Sequence, residues 1–265
     1  MRTLSRRLTR LVAEMYSRPK TPAEIKAMRT SGQLLGSVLA KLQKIAEPGM
    51  TTQDLDEIAR RQLQGTGGTP AFLGYQGFTG AICASVNDEV VHGVPSPDRV
   101  LESGDILGID FGVTYDGMIT DSAITLIVGQ PRSTRHKTLL EDTDASLHAG
   151  LRVLKDGVHV GDIGHAVESV LKPGGYGIVR DLVGHGVGHD LHEEPNIPNY
   201  GKKGTGPTLA AGMTVAIEPM ATLGDHRVFV EADGWTIKTR DGSLSAHFEH
   251  TVLITENGYE ILTLR

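Results

Sequence analysis

The sequence predicts an α+β fold of two related halves, each with helices followed by antiparallel strands that the helices cover. Three observations carry this. Two helical patterns precede each group of strand patterns. Two strand patterns meet at Tyr115-Asp116-Gly117, where Asp-Gly marks a hairpin. The chain also repeats itself at an offset of 108 residues: Leu101-Glu-Ser-Gly104-Asp-Ile-Leu-Gly-Ile-Asp110 aligns with Leu209-Ala-Ala-Gly212-Met-Thr-Val-Ala-Ile-Glu218. The same shift brings Gly49 onto Gly157 and Asp54 onto Asp162.

Taken in order, Thr21-Pro22-Ala23-Glu24 is a capping box with proline at the first helical position, so a helix begins there. Ile25, Met28, Leu34, Leu35, Val38, Leu39 and Leu42 form its apolar stripe, and Pro48-Gly49 stops it. A second helix runs from Thr52 with Leu55, Ile58, Ala59 and Leu63 inward and Gly65 past its end. Ala81 to Val86 reads as a short strand, Asn87-Asp88-Glu89 as a turn, and Val90 to Pro95 as extended chain. Asp105 to Val113 and Met118 to Val128 are the hairpin strands. A two-residue loop puts Asp110 and Asp121 on one face of the sheet; a three-residue loop reverses that unless a bulge restores it. Helices follow at Thr134 to Lys155 and Asp162 to Leu171, then a strand at Gly174 to Leu182. Met213 to Met220 is a strand carrying Glu218, and a β-rich tail runs through Trp235 and Glu249 to Leu264.

The domain organisation expected is a basic arm, residues 1–19, and one domain over 20–265 with halves at about 20–145 and 146–265. The arm region, with Arg2, Arg6, Arg7, Arg10, Arg18 and Lys20 against Glu14 alone, reads as solvated and partly helical. A hydrophobic content of 39% and a charged content of 22% fit a globular chain. The net charge of -6 gives no support for general nucleic-acid affinity. No apolar run approaches the roughly 20 residues that span a bilayer. One cysteine, Cys83, excludes an intramolecular disulfide and four-cysteine zinc modules, and fits a reducing, cytoplasmic setting.

The chemistry-bearing stretch is Val183-Gly-His185-Gly-Val-Gly-His189-Asp-Leu191-His192-Glu-Glu-Pro195. Its alternate glycines are a poor basis for a core strand and suit the wall of a site. Taken singly, Asp110 reads as an ordinary turn residue, Glu218 as a strand-end charge and His185 as a core histidine. The repeat joins them. A pseudo-twofold places Asp110 opposite Glu218 and Asp121 opposite Glu249. Four buried carboxylates repel one another unless cations are bound. With one histidine they suit divalent Mn, Fe, Co or Zn. Two such ions activate water and polarise a carbonyl. His-Glu-x-x-His, a dinucleotide fingerprint, a Walker lysine and a nucleophile elbow are all absent.

Ser85-Val-Asn87 through His92-Gly-Val-Pro95, Ile109-Asp110-Phe, Thr120-Asp121, Gly184-His185-Gly, His192-Glu-Glu-Pro195, Ile217-Glu218-Pro-Met and Ser243-Leu-Ser-Ala-His-Phe-Glu249-His-Thr resemble the type I methionine aminopeptidases of the pita-bread fold. The resemblance covers Thr21 to Arg265. It implies that Asp110 chelates one metal, that Asp121 and Glu249 bridge two, and that His185 and Glu218 complete the other. It makes Glu218 the proton shuttle, places His92 at the scissile nitrogen or leaving group, and sets His192 on the carbonyl oxygen. A methionine pocket maps onto Tyr75, Phe78, Cys83 and Trp235, with Phe72 and Leu191 at its rim, and a soft thioether suits such a slot. The resemblance also allows a monovalent cation held by loop carbonyls near Asn87 and Ser245. Thirty residues lie between Glu218 and Glu249, too few for the helical insertion of type II enzymes.

The implied function is removal of initiator methionine from nascent chains with a small second residue, by a cytoplasmic monomer working near the ribosome. Two rivals share the fold. A proline-directed aminopeptidase usually carries an arginine shortly before the last glutamate, where this chain reads Ala246-His247-Phe248. An inactive peptide- or ribosome-binding protein would not need all five ligand positions intact.

Overall fold

The computed structural model describes residues 17–265, so the expected helical arm lies, up to residue 16, outside the described residues. Helix α1, Pro22–Ile45, starts at the predicted capping box: the Thr21 hydroxyl accepts from the Glu24 amide, and the Glu24 carboxylate accepts from the Thr21 amide. Each such cap satisfies an otherwise orphaned helix donor. Helix α2, Thr52–Leu63, uses the same device with Thr51 and Asp54. Helices α3, Thr134–Arg152, and α4, Val160–Leu171, are their counterparts. Both ends of α4 lie 108 residues beyond those of α2.

The sheets show the same correspondence. Strand β2, Ile106–Tyr115, runs between β1, Ile82–Val86, and β3, Met118–Ile127, antiparallel to both. The other half carries a five-stranded sheet built from β4, Gly184–Gly186, β5, Glu193–Ile197, β6, Thr214–Ile217, β7, His250–Thr255, and β8, Gly258–Ile261. Its spatial order is β8-β7-β6-β4-β5, so β6 lies between β4 and β7 as β2 lies between β1 and β3. Each half has its own apolar core beneath its helices. Leu35, Leu39, Leu55, Ile109 and Phe111 lie in the first, and Leu147, Leu151, Ile163, Val167 and Val215 in the second. Among the described residues no helix is long and apolar enough to cross a membrane.

The hairpin loop has two residues. Tyr115 pairs with Met118, and Asp116 and Gly117 take positive φ of 49° and 75°. Two left-handed residues match the strand twist. Asp110 lies opposite Ala123, and Gly112 opposite Asp121, so both carboxylates point from the same face.

Four local expectations are corrected. The stretch expected to be too glycine-rich for a core strand contains one: β4 is fully buried in mid-sheet. Its glycines allow backbone to close in, since a Cβ at Gly184 would collide with the Ala216 carbonyl oxygen. The strand expected over Gly174 to Leu182 shrinks to Gly177–Ile178, and the chain turns out at exposed Arg180 and Asp181. The extended run expected over Val90 to Pro95 ends at Val91, because His92 adopts a positive φ of 59°. The strand expected over Met213 to Met220 breaks after Ile217, where Pro219 has no amide to offer the ladder, and pairing resumes with Met220–Thr222 in another sheet. That break frees Glu218 from the ladder.

Candidate active site

The two halves are stitched along β3 and β7, and the carboxylates sit on that seam. The Asp121 amide donates to Thr251 Oγ1 (2.8 Å), and Ser122 Oγ donates to the Glu249 carbonyl oxygen (2.6 Å). The Glu249 amide donates to the Ala123 carbonyl oxygen (3.0 Å). Asp121 and Glu249, far apart in sequence, are thereby held side by side.

Asp121, His185 and Glu249 place their ligating atoms within 4.8 Å of one another. Asp110 lines the same cavity beside Asp121, and Glu218 Oε1 lies 3.5 Å from His185 Nε2. The His185 Nδ1–H donates to the Gly186 carbonyl oxygen (2.9 Å), an acceptor only, which leaves the Nε2 lone pair facing the carboxylates.

The electrostatics of the metal-free site are unfavourable. Burial, then mutual repulsion, pushes Asp110 and Glu249 well above the usual carboxylate range. Burial and the Glu218 charge raise Asp121 to about 7, and burial raises Glu218 to about 8. Burial lowers His185 to about 3, keeping its imidazole neutral. One oxygen each of Asp110, Asp121 and Glu249 is buried without a hydrogen-bond partner. Orphaned buried oxygens beside a neutral imidazole are the donor set a divalent cation satisfies. The residues fit the group.

Every site residue expected from the sequence lines one cavity of about 420 Å³. Phe72, Phe78, Cys83 and Leu191 pack into an apolar cluster with Tyr75 and Trp235 against it. The Phe78 and Trp235 rings meet edge-on at 5.1 Å. Burial, then the charges of nearby carboxylates such as Asp110, drives the Cys83 thiol up, so it stays neutral as a pocket wall. His192 stands at the mouth, its ring 4.5 Å from that of His185 and its Nδ1 3.1 Å from the Tyr75 hydroxyl. His92 is lowered to about 4 by burial, then by His247 and His192, so it too is neutral. His189 does not line the cavity and lies 2.8 Å from Glu24 Oε1 on the outer side.

His247 was not legible as a site residue. Its Nε2 is buried, 3.3 Å from Glu218 Oε2. It ends the short strand Ser245–His247, two places before Glu249, and no residue pattern there marks its ring. Met220 and Val91 also complete the cavity wall.

Residues 26–256 match the model of metallopeptidase family M24. The chain belongs to this family. It is 47% identical over 244 residues to methionine aminopeptidase 1 of Bacillus subtilis (strain 168), covering 92% of this chain and 98% of that one. It is 42% identical over 265 residues to methionine aminopeptidase 1 of Mycobacterium tuberculosis, covering 98% and 99%. The crystal structure of methionine aminopeptidase from Thermotoga maritima superposes with a TM-score of 0.92 at 46% identity, covering 94% of this chain and all of that one. Prolidase from Pyrococcus furiosus shares the fold at a TM-score of 0.74 and 24% identity. The M24 protein is thus a pita-bread, metal-dependent hydrolase of the type I methionine aminopeptidase kind.

Proposed function

We propose that the M24 protein cleaves N-terminal methionine from nascent chains and peptides whose second residue is small, using two divalent ions. The observation that supports this best is the junction of two surfaces in one cavity: a buried carboxylate–imidazole cluster and an aromatic, thiol-walled slot. An unbranched thioether fills such a slot well. Bound ions would supply an activated water and polarise the scissile carbonyl. Asp110, Asp121, His185, Glu218 and Glu249 would hold them. Mn, Fe, Co and Zn all suit this donor set.

The chain's own groups do the rest. His192, braced by the Tyr75 hydroxyl, keeps Nε2 for the substrate carbonyl oxygen. His92 lies against the Trp235 edge at 6.5 Å, where it can reach the leaving amide. Glu218, ionised when it helps hold an ion, can take up a proton and pass it to that nitrogen. A monovalent cation held by loop carbonyls near Asn87 and Ser245, which pair through the Ser245 amide and the Asn87 carbonyl oxygen (2.9 Å), also belongs to this reading. A cytoplasmic, monomeric enzyme close to the ribosome completes this reading.

Prolidases share the fold, yet His247 stands near the last glutamate where a proline-directed enzyme usually carries arginine. Hydrolysis of Met-Ala-Ser against Ala-Pro-Ala tests the choice. The proposal expects release of methionine from the first and no cleavage of the second; the reverse overturns it. A metal-replete protein that binds peptides without cutting either would favour the inactive reading.

A further inference from the structure

Lys20 precedes the capped start of α1 and lies outside the residues matched to the family model. Counted by sequence as part of a solvated arm, it is buried. Its Nζ donates to Glu193 Oε2 (2.9 Å), with neither side chain more than 3% exposed, and to Ser17 Oγ (3.2 Å). The other Glu193 oxygen accepts from the amides of His189 (2.6 Å) and Asp190 (3.2 Å). Glu193 thus ties together both ends of the turn that ends in His192.

The strap around Lys20 is fitted to this loop. The Ser17 amide donates to the Glu194 carbonyl oxygen (2.6 Å), Ser17 Oγ to the Thr214 carbonyl oxygen (3.2 Å), and the Lys20 amide to the Gly212 carbonyl oxygen (2.8 Å). A Cβ at Gly186 would lie 2.6 Å from Ser17 Cβ, and one at Gly188 would strike the Lys20 side chain. Two of the alternate glycines in the His185–His192 stretch therefore make room for residues 17–20. Outside this layer, Arg18 pairs with Glu24 (2.8 Å), which also reaches His189.

We propose that Lys20 is a positioning residue for catalysis: through Glu193 it fixes the backbone of His192, so that the strap ahead of the family-matched residues 26–256 sets the substrate-polarising histidine. This rests on the role assigned to His192 above. A buried pair broken on one side leaves an uncompensated charge, and here the carboxylate left behind adjoins His192 in sequence.

The test uses the full-length, metal-loaded enzyme with Lys20→Met, Lys20→Gln, His192→Ala and the double variant Lys20→Met/His192→Ala. Lys20→Met should lower kcat on Met-Ala-Ser about 30- to 100-fold with KM moving less than about threefold. Lys20→Gln, which keeps a donor for Glu193 and is the better prospect to fold, should recover about half of that loss on a logarithmic scale. In the His192→Ala background Lys20→Met should cost less than about threefold, because the strap acts through the missing ring. Amide exchange of the metal-free protein provides a readout independent of turnover: segment 186–193 should exchange at least about tenfold faster in the Lys20 variants. A fully additive loss in the double variant, or unchanged exchange together with unchanged kcat in Lys20→Gln and Lys20→Met, overturns the inference. Wild-type kcat in His192→Ala alone would instead sink the role of His192, a separate failure.

Discussion

Thr251 clasps Asp121 from the opposite half of the molecule: its Oγ1 accepts from the Asp121 amide (2.8 Å) and its hydroxyl donates to the Asp121 carbonyl oxygen (2.7 Å). Both residues are buried, and the clasp fixes the backbone from which a carboxylate of the proposed metal site projects. Thr251→Val keeps the shape and removes both bonds. We expect a loss of about 1–3 kcal/mol in stability, from two buried backbone groups left unpaired, and metal affinity weaker by about 10-fold or more. Chemical denaturation and metal titration measure the two separately; unchanged values for both would show that the clasp is idle.

The metal-free protein should lose stability as pH rises. Burial raises Asp121 from 3.8 to about 7, with the Glu218 charge adding to it, and burial raises Glu218 from 4.5 to about 8. Between these limits the folded state keeps protons that the unfolded chain has lost, so the stabilisation is complete below the unfolded values and disappears as pH passes the folded ones. Melting of the chelated protein should therefore drop by several degrees between about pH 5 and pH 8.5. Metal binding needs those protons to leave, so it should tighten over the same interval. A chelated protein that melts higher at pH 8.5 than at pH 5 contradicts this.

Asp110→Asn separates stability from turnover. Asp110 is held far above its normal range by burial and by its carboxylate neighbours. Neutralising it relieves that repulsion, and the metal-free variant should melt at or above the wild-type temperature near neutral pH. Peptide hydrolysis should nevertheless fall below detection, because the proposed dimetal site loses a chelating carboxylate. Calorimetry and methionine release check the two halves of this expectation.

Gly186→Ala tests the crowding around β4. The added methyl would lie 2.6 Å from Ser17 Cβ and 2.8 Å from the Glu194 carbonyl oxygen. We expect about 1–3 kcal/mol of destabilisation, typical of overpacking, read as a lower denaturation midpoint at constant m-value.

The parts of this molecule that were legible in sequence are those written in local chemistry. Thr21 and Glu24 announce the start of α1, and Asp116-Gly117 announces a hairpin; the pairing of Tyr115 with Met118 then settles the open loop length and puts Asp110 and Asp121 on one face. The internal repeat then paired carboxylates that no local pattern could connect. What escaped depends on contacts between distant segments. Lys20 looked like one more arm cation, because its partner lies 173 residues away. Gly32 and Gly36 lie within α1, where a Cβ at either would collide with the carbonyl oxygen of Leu262 or Leu264, more than 200 residues away in sequence. β4 looked unfit for a sheet because glycine was read as a weakness rather than as clearance for Ala216. His247 was hidden among the residues before Glu249, since nothing local says that its ring meets Glu218.

The most direct test is hydrolysis of Met-Ala-Ser by chelator-stripped protein, titrated anaerobically with Mn, Fe, Co or Zn, with Asp110→Asn carried alongside. The proposed dimetal site predicts no turnover without metal, activity rising as ions are added, and no recovery by the variant. Full activity in the stripped protein, or in Asp110→Asn at any metal level, would contradict it.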